Sequence, residues 1–398
     1  MASQAAAAKA ARPFDIVVYG ATGYTGRLVA EYLAHHYAGR ADAPKWAMAG
    51  RSAAKLAEVR DLIGASADTP LIVADSDDAA SMKALAQSTR VVLTTVGPYQ
   101  LYGEPLLKAC VEAGTDYADL CGEPVWMRQM IDKYHDAARA SGARIAFSSG
   151  FDSIPFDLGV LMLQQEAVSR FGAPAPRVKG RMRAMQGKFS GGPAASLGAT
   201  LKALAADPSL IPYMTSPFGL TPGFEGPEQP TGDQPQYDEQ LGSWEAPFVM
   251  AVINTKNVHR TNLLRGHPFG TGFVYDEMVL TGPGDQGEAI ARHLASTPMI
   301  GTPDDPKPGE GPTAEERENG FYDALFVGEM PDGRTVRYGV KGRFDPGYGS
   351  TSRMLAETGI ALLSCKAEGA VATPGALLGE ALVERLNAEA EIVFAAED

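Results

Sequence analysis

Apolar residues in the first third of the chain alternate between short continuous runs and helical spacing. Phe14–Tyr19 (FDIVVY) is a β-branched apolar run suited to a strand buried on both faces. Arg27–Leu33 then places apolar residues at the period of a helix. The alternation continues, with Trp46–Gly50, Pro70–Ala74, Arg90–Thr95, Thr115–Asp119 and Ala143–Phe147 reading as five further strands. Helices are expected between them: one that Ser52 would cap, one running to Gln87 with Ser76 or Asp77 as its cap, then Tyr102–Ala113 and Val125–Ser141. Strands and helices in this order predict a doubly wound parallel sheet of the Rossmann type, with ligands at the carboxyl ends of the strands.

Past Gly150 the pattern changes. A helix is expected over Phe156–Phe171, with Asp152 and Ser153 ahead of it either orienting a substrate or, as the commoner role, capping it. Arg177–Gln186 (RVKGRMRAMQ) alternates basic with apolar or small residues, as a strand with one outward face does. Its cations read as a solvated face or as an attractor for an acidic group. Ser190–Pro193 opens a further helix. Pro208–Pro247 is rich in proline and glycine and reads as a lid or as surface irregularity. Phe248–Ile253 is apolar, as a buried strand or helix is, and Asn257–Asn262 gathers polar side chains ahead of a strand over Phe273–Leu280. His259 and His267 have no evident partner and read as packed or solvated. After a charged loop over Pro303–Glu318, Phe321–Met330 and Thr335–Phe344 form a hairpin about Pro331–Gly333. These strands predict a mixed α/β domain whose sheet is a platform for substrate or for a homodimer. Gly347–Ser352 reads equally as a ligand-facing turn or a helix cap, and helices through Leu363 and over Ala376–Ala388 close the chain. The expected divisions are a disordered tail (1–12), the Rossmann domain (13–150), the mixed-sheet domain (151–346) and the C-terminal helices (347–398).

Length and charge sharpen this picture. A chain of 398 residues exceeds one compact core, in keeping with two domains. A net charge of -13 argues against nucleic acid as a partner. Cys110, Cys121 and Cys365 are too few and too scattered for a disulfide framework or a zinc cage, which favours a reducing, cytoplasmic setting. No apolar run is long enough for a transmembrane segment, while peripheral membrane contact stays open. Alanine-rich Met1–Arg12 lacks the core and cleavage site of a secretory signal.

The candidate chemistry begins at Gly20–Gly26 (GATGYTG), a G-x-x-G-x-x-G turn between strand and helix. Gly20 permits the tight turn, Gly23 lets the backbone approach a pyrophosphate, and Gly26 lets helix and strand pack closely. Thr22, Tyr24 and Thr25 complete this expected cofactor loop, whose helix start presents free N–H groups to an anion. Where an NAD-binding unit carries an acidic residue, this chain has Arg51, with Ser52 beside it and Lys55 a helical turn on. Two cations and a hydroxyl fit a 2′-phosphate and favour NADP(H) over NAD, against the plainer reading of a capped helix with two solvated bases. Asp75 ends the third strand where adenine or its ribose would lie. Val96, Gly97 and Pro98 end the fourth, and Cys121 and Gly122 follow the fifth, bordering the nicotinamide. Tyr99 or Tyr102 is the candidate catalytic donor or pocket wall, although aromatic packing alone accounts for either. Cys121 is more commonly a buried thiol than a catalyst. No metalloprotease or nucleophile-elbow motif occurs, so metal and nucleophilic catalysis are disfavoured.

GATGYTG, AGRS, TTVGPYQLYGEPLLKACVEAGTDYADLCGE and SSGFDSIPFDLG together resemble the saccharopine dehydrogenase-like oxidoreductases, most of all their trans-acting enoyl reductase branch. The resemblance runs from Phe14 through Gly159 and returns near Gly342–Ser352. It implies an NADP(H)-dependent Rossmann domain joined to a mixed α/β domain, with C-terminal helices packing back on the first. It also implies hydride transfer, in that branch to a C=C bond of a small-molecule or carrier-linked acyl or polyketide thioester in lipid metabolism. The alternative is a saccharopine-type reductase of a C=N bond, whose multiply charged substrate calls for convergent arginines that the second domain does not obviously present. A non-catalytic NADP(H)-binding scaffold or redox sensor would carry the same glycines, Arg51 and Ser52, so turnover alone separates it from an enzyme.

Overall fold

A computed structural model describes residues 9–188, 191–297 and 309–398. The first sheet grows from β1 (Phe14–Tyr19), which runs parallel between β2 (Trp46–Gly50) and β4 (Thr89–Thr94), with Ile16 opposite both Trp46 and Val91. Strand β3 (Leu71–Val73) continues beyond β2, while β5 (Asp116–Asp119) and β6 (Arg144–Ala146) continue beyond β4. Every one of these pairings is parallel, because each strand returns through a helix. Ile16, Val17 and Val18 are fully buried, as a central strand covered on both faces requires. The helix that ends the β3 crossover is capped by Asp78, which accepts the Ala80 amide at 2.9 Å, and not by Ser76 or Asp77.

The sheet has a seventh strand that the sequence pattern did not announce. Ala370–Ala372 (β13) returns from the C-terminal segment and pairs parallel with β6. Glycines set how closely that segment packs. A Cβ at Gly359, in the helix Thr351–Ser364, would stand 2.7 Å from the Leu93 side chain of β4. Buried Glu357 of the same helix accepts the hydroxyls of Tyr32 and Tyr37 at 2.8 and 2.7 Å and also pairs with Arg385.

The second sheet is mixed and takes the order β14-β12-β11-β7-β10-β9-β8. Its strands are β7 (Arg177–Gln186), β8 (Gln236–Asp238), β9 (Ser243–Pro247), β10 (Val274–Gly282), β11 (Phe321–Glu329), β12 (Thr335–Arg343) and β14 (Ile392–Glu397). The expected hairpin is β11–β12, with Phe326 opposite Tyr338. The expected strand or helix at 248–253 is the turn from β9 into the helix Ala251–Leu264. The helix Ile154–Phe171 lies against this sheet so closely that a Cβ at Gly159 would meet the Phe326 ring at 2.4 Å. The cations of β7 are neither a free face nor a ligand attractor. Arg177 pairs with Asp276, Lys179 with Asp238 and Glu329, Arg181 with Glu245 and Asp276, and Arg183 with Asp323 and Glu397.

The expected N-terminal tail is held down at its end. The Arg12 guanidinium donates to the Thr89 carbonyl and the Thr115 hydroxyl, both at 2.7 Å, and Lys9 pairs with buried Asp116 at 2.6 Å. Residues 1–8 lie outside the described residues. Among the described residues no helix is long and apolar enough to cross a membrane.

Candidate functional site

The glycine turn sits at the carboxyl end of β1. Gly20 has φ +87°, and a Cβ there would stand 2.7 Å from Val96 in the turn after β4. Gly26 is tighter still, since a Cβ would fall 2.2 Å from the Gly20 carbonyl oxygen and 2.7 Å from Thr95 Oγ1. Gly23 differs from both. It is exposed, caps the helix Tyr24–His36 without any side-chain bond, and would bring a Cβ no nearer than 3.3 Å to the protein. The helix has no acidic residue in its first turn. Packing requires Gly20 and Gly26, whereas the open backbone at Gly23 leaves room for a ligand to approach, so this loop fits a dinucleotide pyrophosphate.

Arg51 and Lys55 are exposed beyond β2, and Ser52 caps the next helix by accepting the Lys55 amide at 3.3 Å. Asp75 accepts the Asp77 amide at 3.1 Å at the end of β3. Burial raises the Tyr19 hydroxyl above its usual range, against the lowering pull of Ser76, with Asp75 and Arg51 as the nearby charges. Arg51 and Asp75 therefore converge on the end of β1. Tyr24 turns the other way. Its ring meets Tyr348 edge-on at 5.1 Å, and its hydroxyl donates to the Pro312 carbonyl and accepts from Arg317 at 3.0 Å. Thr22 is half-buried beside Gly50.

A cavity of about 490 Å³ opens between the two sheets. One wall comes from the strand ends of the first domain, with Thr25, Gly97, Tyr99, Leu120, Gly122, Glu123 and Asp152. The opposite wall is largely apolar, with Met185, Pro193, Leu197, Met214, Val249, Met250 and Ile253. Gly347, Tyr348 and Thr351 close one side, so the C-terminal turn faces this cavity. The proline-rich segment contributes Met214 from the short helix Ile211–Thr215. The helix Gly191–Ala206 is present, while Ser190 lies outside the described residues.

Four of the expected residues thus meet in the cavity wall: Thr25, Gly97, Tyr99 and Gly122. Val96 and Pro98 flank Gly97 and are not in that wall. Tyr102 is 42% exposed and does not line the cavity. Cys121 lies fully buried behind it, and burial drives its thiol well above the usual range, which disfavours a reactive thiolate. The Tyr99 hydroxyl donates to the Thr94 carbonyl at 3.2 Å and accepts the Leu120 amide at 3.1 Å, so its proton is committed to the scaffold.

Two carboxyl groups of the cavity escaped a catalytic reading. Buried Glu123 accepts the Tyr99 and Gln100 amides, each at 2.9 Å, and the Ser196 hydroxyl at 2.7 Å. It therefore anchors the turn after β4 and ties it to the helix Gly191–Ala206. Its position directly before Pro124, the first residue of a helix, was the available signal. Asp152 was expected to cap a helix, but the helix Ile154–Phe171 has no side-chain cap bond. Its carboxyl group accepts no hydrogen bond from the described residues, and burial pushes it up to about 7. The His259 ring packs at a tilt on Phe218 at 4.5 Å and is driven by burial down to about 3, so it stays neutral. His267 packs on Phe224 at 4.4 Å. No group of three or more metal-binding side chains converges among the described residues.

Comparison with known proteins agrees with this construction. Residues 16–145 match the family model described as the saccharopine dehydrogenase NADP binding domain. With the parallel sheet and the glycine turn, this makes the chain an NADP(H)-dependent oxidoreductase. A trans-acting enoyl reductase of Mycobacterium tuberculosis is 36% identical over 409 residues, covering 95% of this chain and 96% of that protein. Its counterpart in Mycobacterium ulcerans is 34% identical over 422 residues, covering 97% and 98%. A second Mycobacterium tuberculosis protein, given the same designation provisionally, reaches 39% identity over 407 residues, covering 95% and 96%. The chain belongs to the saccharopine dehydrogenase-like oxidoreductases, in their trans-acting enoyl reductase branch. Among solved structures, the apo saccharopine dehydrogenase of Saccharomyces cerevisiae aligns with TM-score 0.52 at 11% identity, covering 96% of this chain and 99% of that one, which is a likeness of fold alone.

Proposed function

We propose that this protein reduces the carbon–carbon double bond of an acyl thioester at the expense of NADPH. The observation that carries the proposal is the composition of the cavity. An apolar wall of methionine, leucine, valine and isoleucine faces the strand ends where Gly97 and Gly122 leave the backbone open. Such a wall suits an acyl chain, which gains about 25 cal/mol for each Å² of apolar surface removed from water. Among the described residues that line the cavity Lys188 is the single cation, and it pairs with Glu316. A multiply charged amino acid would find no arginine there, which weighs against reduction of a C=N adduct. The relatives' designation as trans-acting enoyl reductases supports the same reading.

In this reading the backbone at Gly20–Gly26 receives the pyrophosphate, Arg51, Ser52 and Lys55 receive the 2′-phosphate, and Asp75 receives the adenosine ribose. When bound, NADPH supplies a hydride. Thr25, Gly97, Tyr99 and Gly122 shape the wall beside the nicotinamide, and Glu123 holds that wall rigid. The reduced double bond is delivered on a carrier or as a small thioester, in a cytoplasmic setting that fits three free thiols. The test is a competition of acceptors. With NADPH, a 2-enoyl thioester should be turned over, and an oxo acid paired with an amino acid should not. Turnover of the second and not the first would replace enoyl reduction with imine reduction.

A further inference from the structure

Five titratable side chains among the described residues line the cavity: Tyr99, Glu123, Asp152, Lys188 and Tyr348. Four of them are engaged by other protein groups. Tyr99 bonds the Thr94 carbonyl and the Leu120 amide, Glu123 accepts three donors, and Lys188 pairs with Glu316. Tyr348 packs edge-on against Tyr24. Asp152 lines the same cavity, close enough to buried Cys121 for its charge to bear on the thiol. It is half-buried, opens to the cavity, and has no hydrogen bond from the described residues. Its backbone, by contrast, is fixed from behind. Ser153 Oγ bonds the Asp152 carbonyl and Asn254 Oδ1, Asn257 donates to Ser153 Oγ at 2.6 Å, and Asn254 donates to buried Glu277 at 2.9 Å. A rigid support under an unpartnered acid at a strand's carboxyl end is an arrangement for proton delivery.

We propose that Asp152 is the acid that protonates the α-carbon of the acyl thioester, a role that rests on the enoyl reduction proposed above. Hydride arrival at the β-carbon sends the π pair of the double bond toward the thioester carbonyl, leaving an enolate. Asp152 then gives up its proton, the O–H electrons stay on the carboxylate, and the new C–H bond forms from the enolate pair. Water entering the cavity restores the acid, so each turnover takes up one proton from solvent. Burial holds the carboxyl group protonated up to about pH 7, where a proton donor is needed.

Asp152→Asn in the full chain tests this. General acids contribute about 100-fold or more, so kcat on a 2-enoyl thioester should fall by at least about that factor. Calorimetric affinity for NADPH and the thermal unfolding midpoint should stay at wild-type values. The wild-type kcat should decline as pH rises through about 7, and that limb should vanish in the variant. Without any cofactor, the infrared difference spectrum of wild type minus Asp152→Asn should show a protonated carboxyl band that titrates near neutral pH. Asp152→Ala should regain turnover when formate is added, a rescue that no scaffold role produces. Variant turnover within a few-fold of wild type, an unchanged pH profile, or NADPH affinity falling in parallel with kcat would each overturn the assignment. A wild-type protein inactive on enoyl thioesters would instead overturn the reaction, whatever the variant does.

Discussion

Gly23 and Gly26 stand one helical turn apart, and the structure assigns them opposite reasons for being glycine. Alanine at Gly26 would push a methyl to 2.2 Å from the Gly20 carbonyl oxygen, more than 1 Å inside ordinary contact. Both neighbours are backbone or tightly held, so the helix Tyr24–His36 must move away from β1. Overpacking of this kind costs about 1–3 kcal/mol. The same shift carries the helix N–H groups off their aim, and each lost charge-assisted hydrogen bond weakens binding by roughly 1.5–3 kcal/mol, or about 10–100-fold in Kd. Alanine at Gly23 meets only a 3.3 Å neighbour at φ -79°, so stability should change by less than about 1 kcal/mol. Its methyl nevertheless projects where the pyrophosphate is expected to lie. Thermal unfolding and NADPH calorimetry on both variants separate the two effects. Gly26→Ala should lose stability and affinity together, and Gly23→Ala should lose affinity alone. Wild-type NADPH affinity in Gly23→Ala would refute the placement of the pyrophosphate.

Further outcomes follow from the same geometry. Arg51→Ala should weaken NADPH by roughly 10–100-fold, the loss of a bond to a charged phosphate, and leave NADH unchanged by calorimetry. Glu123→Gln replaces an oxygen that accepts a buried amide by an NH₂ group that cannot, so urea unfolding should show a loss of about 1–3 kcal/mol. Arg12→Ala should lower the unfolding midpoint, because the Thr89 carbonyl loses a 2.7 Å donor at the start of the central strand β4. Buried Glu277 is raised by burial from 4.5 to about 8. A raised carboxyl stabilises the fold fully below its unfolded value and loses that contribution as pH climbs to about 8. Glu277→Gln should therefore flatten the decline in melting temperature between pH 4.5 and about 8.

The parallel sheet was legible because most of its early strands are apolar runs closed by glycine or polar residues, each followed by a helical pattern. β13 was not, since Ala370–Ala372 is too short to show a period and gains its place only by pairing with β6. β14 (Ile392–Glu397) was hidden for a different reason, because it follows directly on the helix Glu380–Glu389 with no turn signal of glycine or proline between them. Asn257–Asn262 reads in the sequence only as a gathering of polar side chains, because polarity along a chain carries no sign of burial. These residues lie buried in a helix, where Asn257 donates to Ser153, Arg260 to the Leu220 and Val371 carbonyls, and Asn262 to the Gly270 carbonyl. The cofactor half of the site was legible because glycine spacing encodes backbone geometry. The catalytic half was not. Which tyrosine or carboxyl group keeps a free proton depends on partners distant in sequence, such as Leu120 for Tyr99 and Ser196 for Glu123.

The central claim is hydride delivery from NADPH to the β-carbon of an unsaturated acyl thioester. It is tested most directly by running the wild-type protein with NADPH deuterated at nicotinamide C4, each epimer in turn, and locating the label in the product by NMR. The account predicts deuterium at the β-carbon of a saturated thioester from one epimer only, with the α-hydrogen drawn from water. Failure of both epimers to label the thioester, with NADPH left unconsumed, would contradict it.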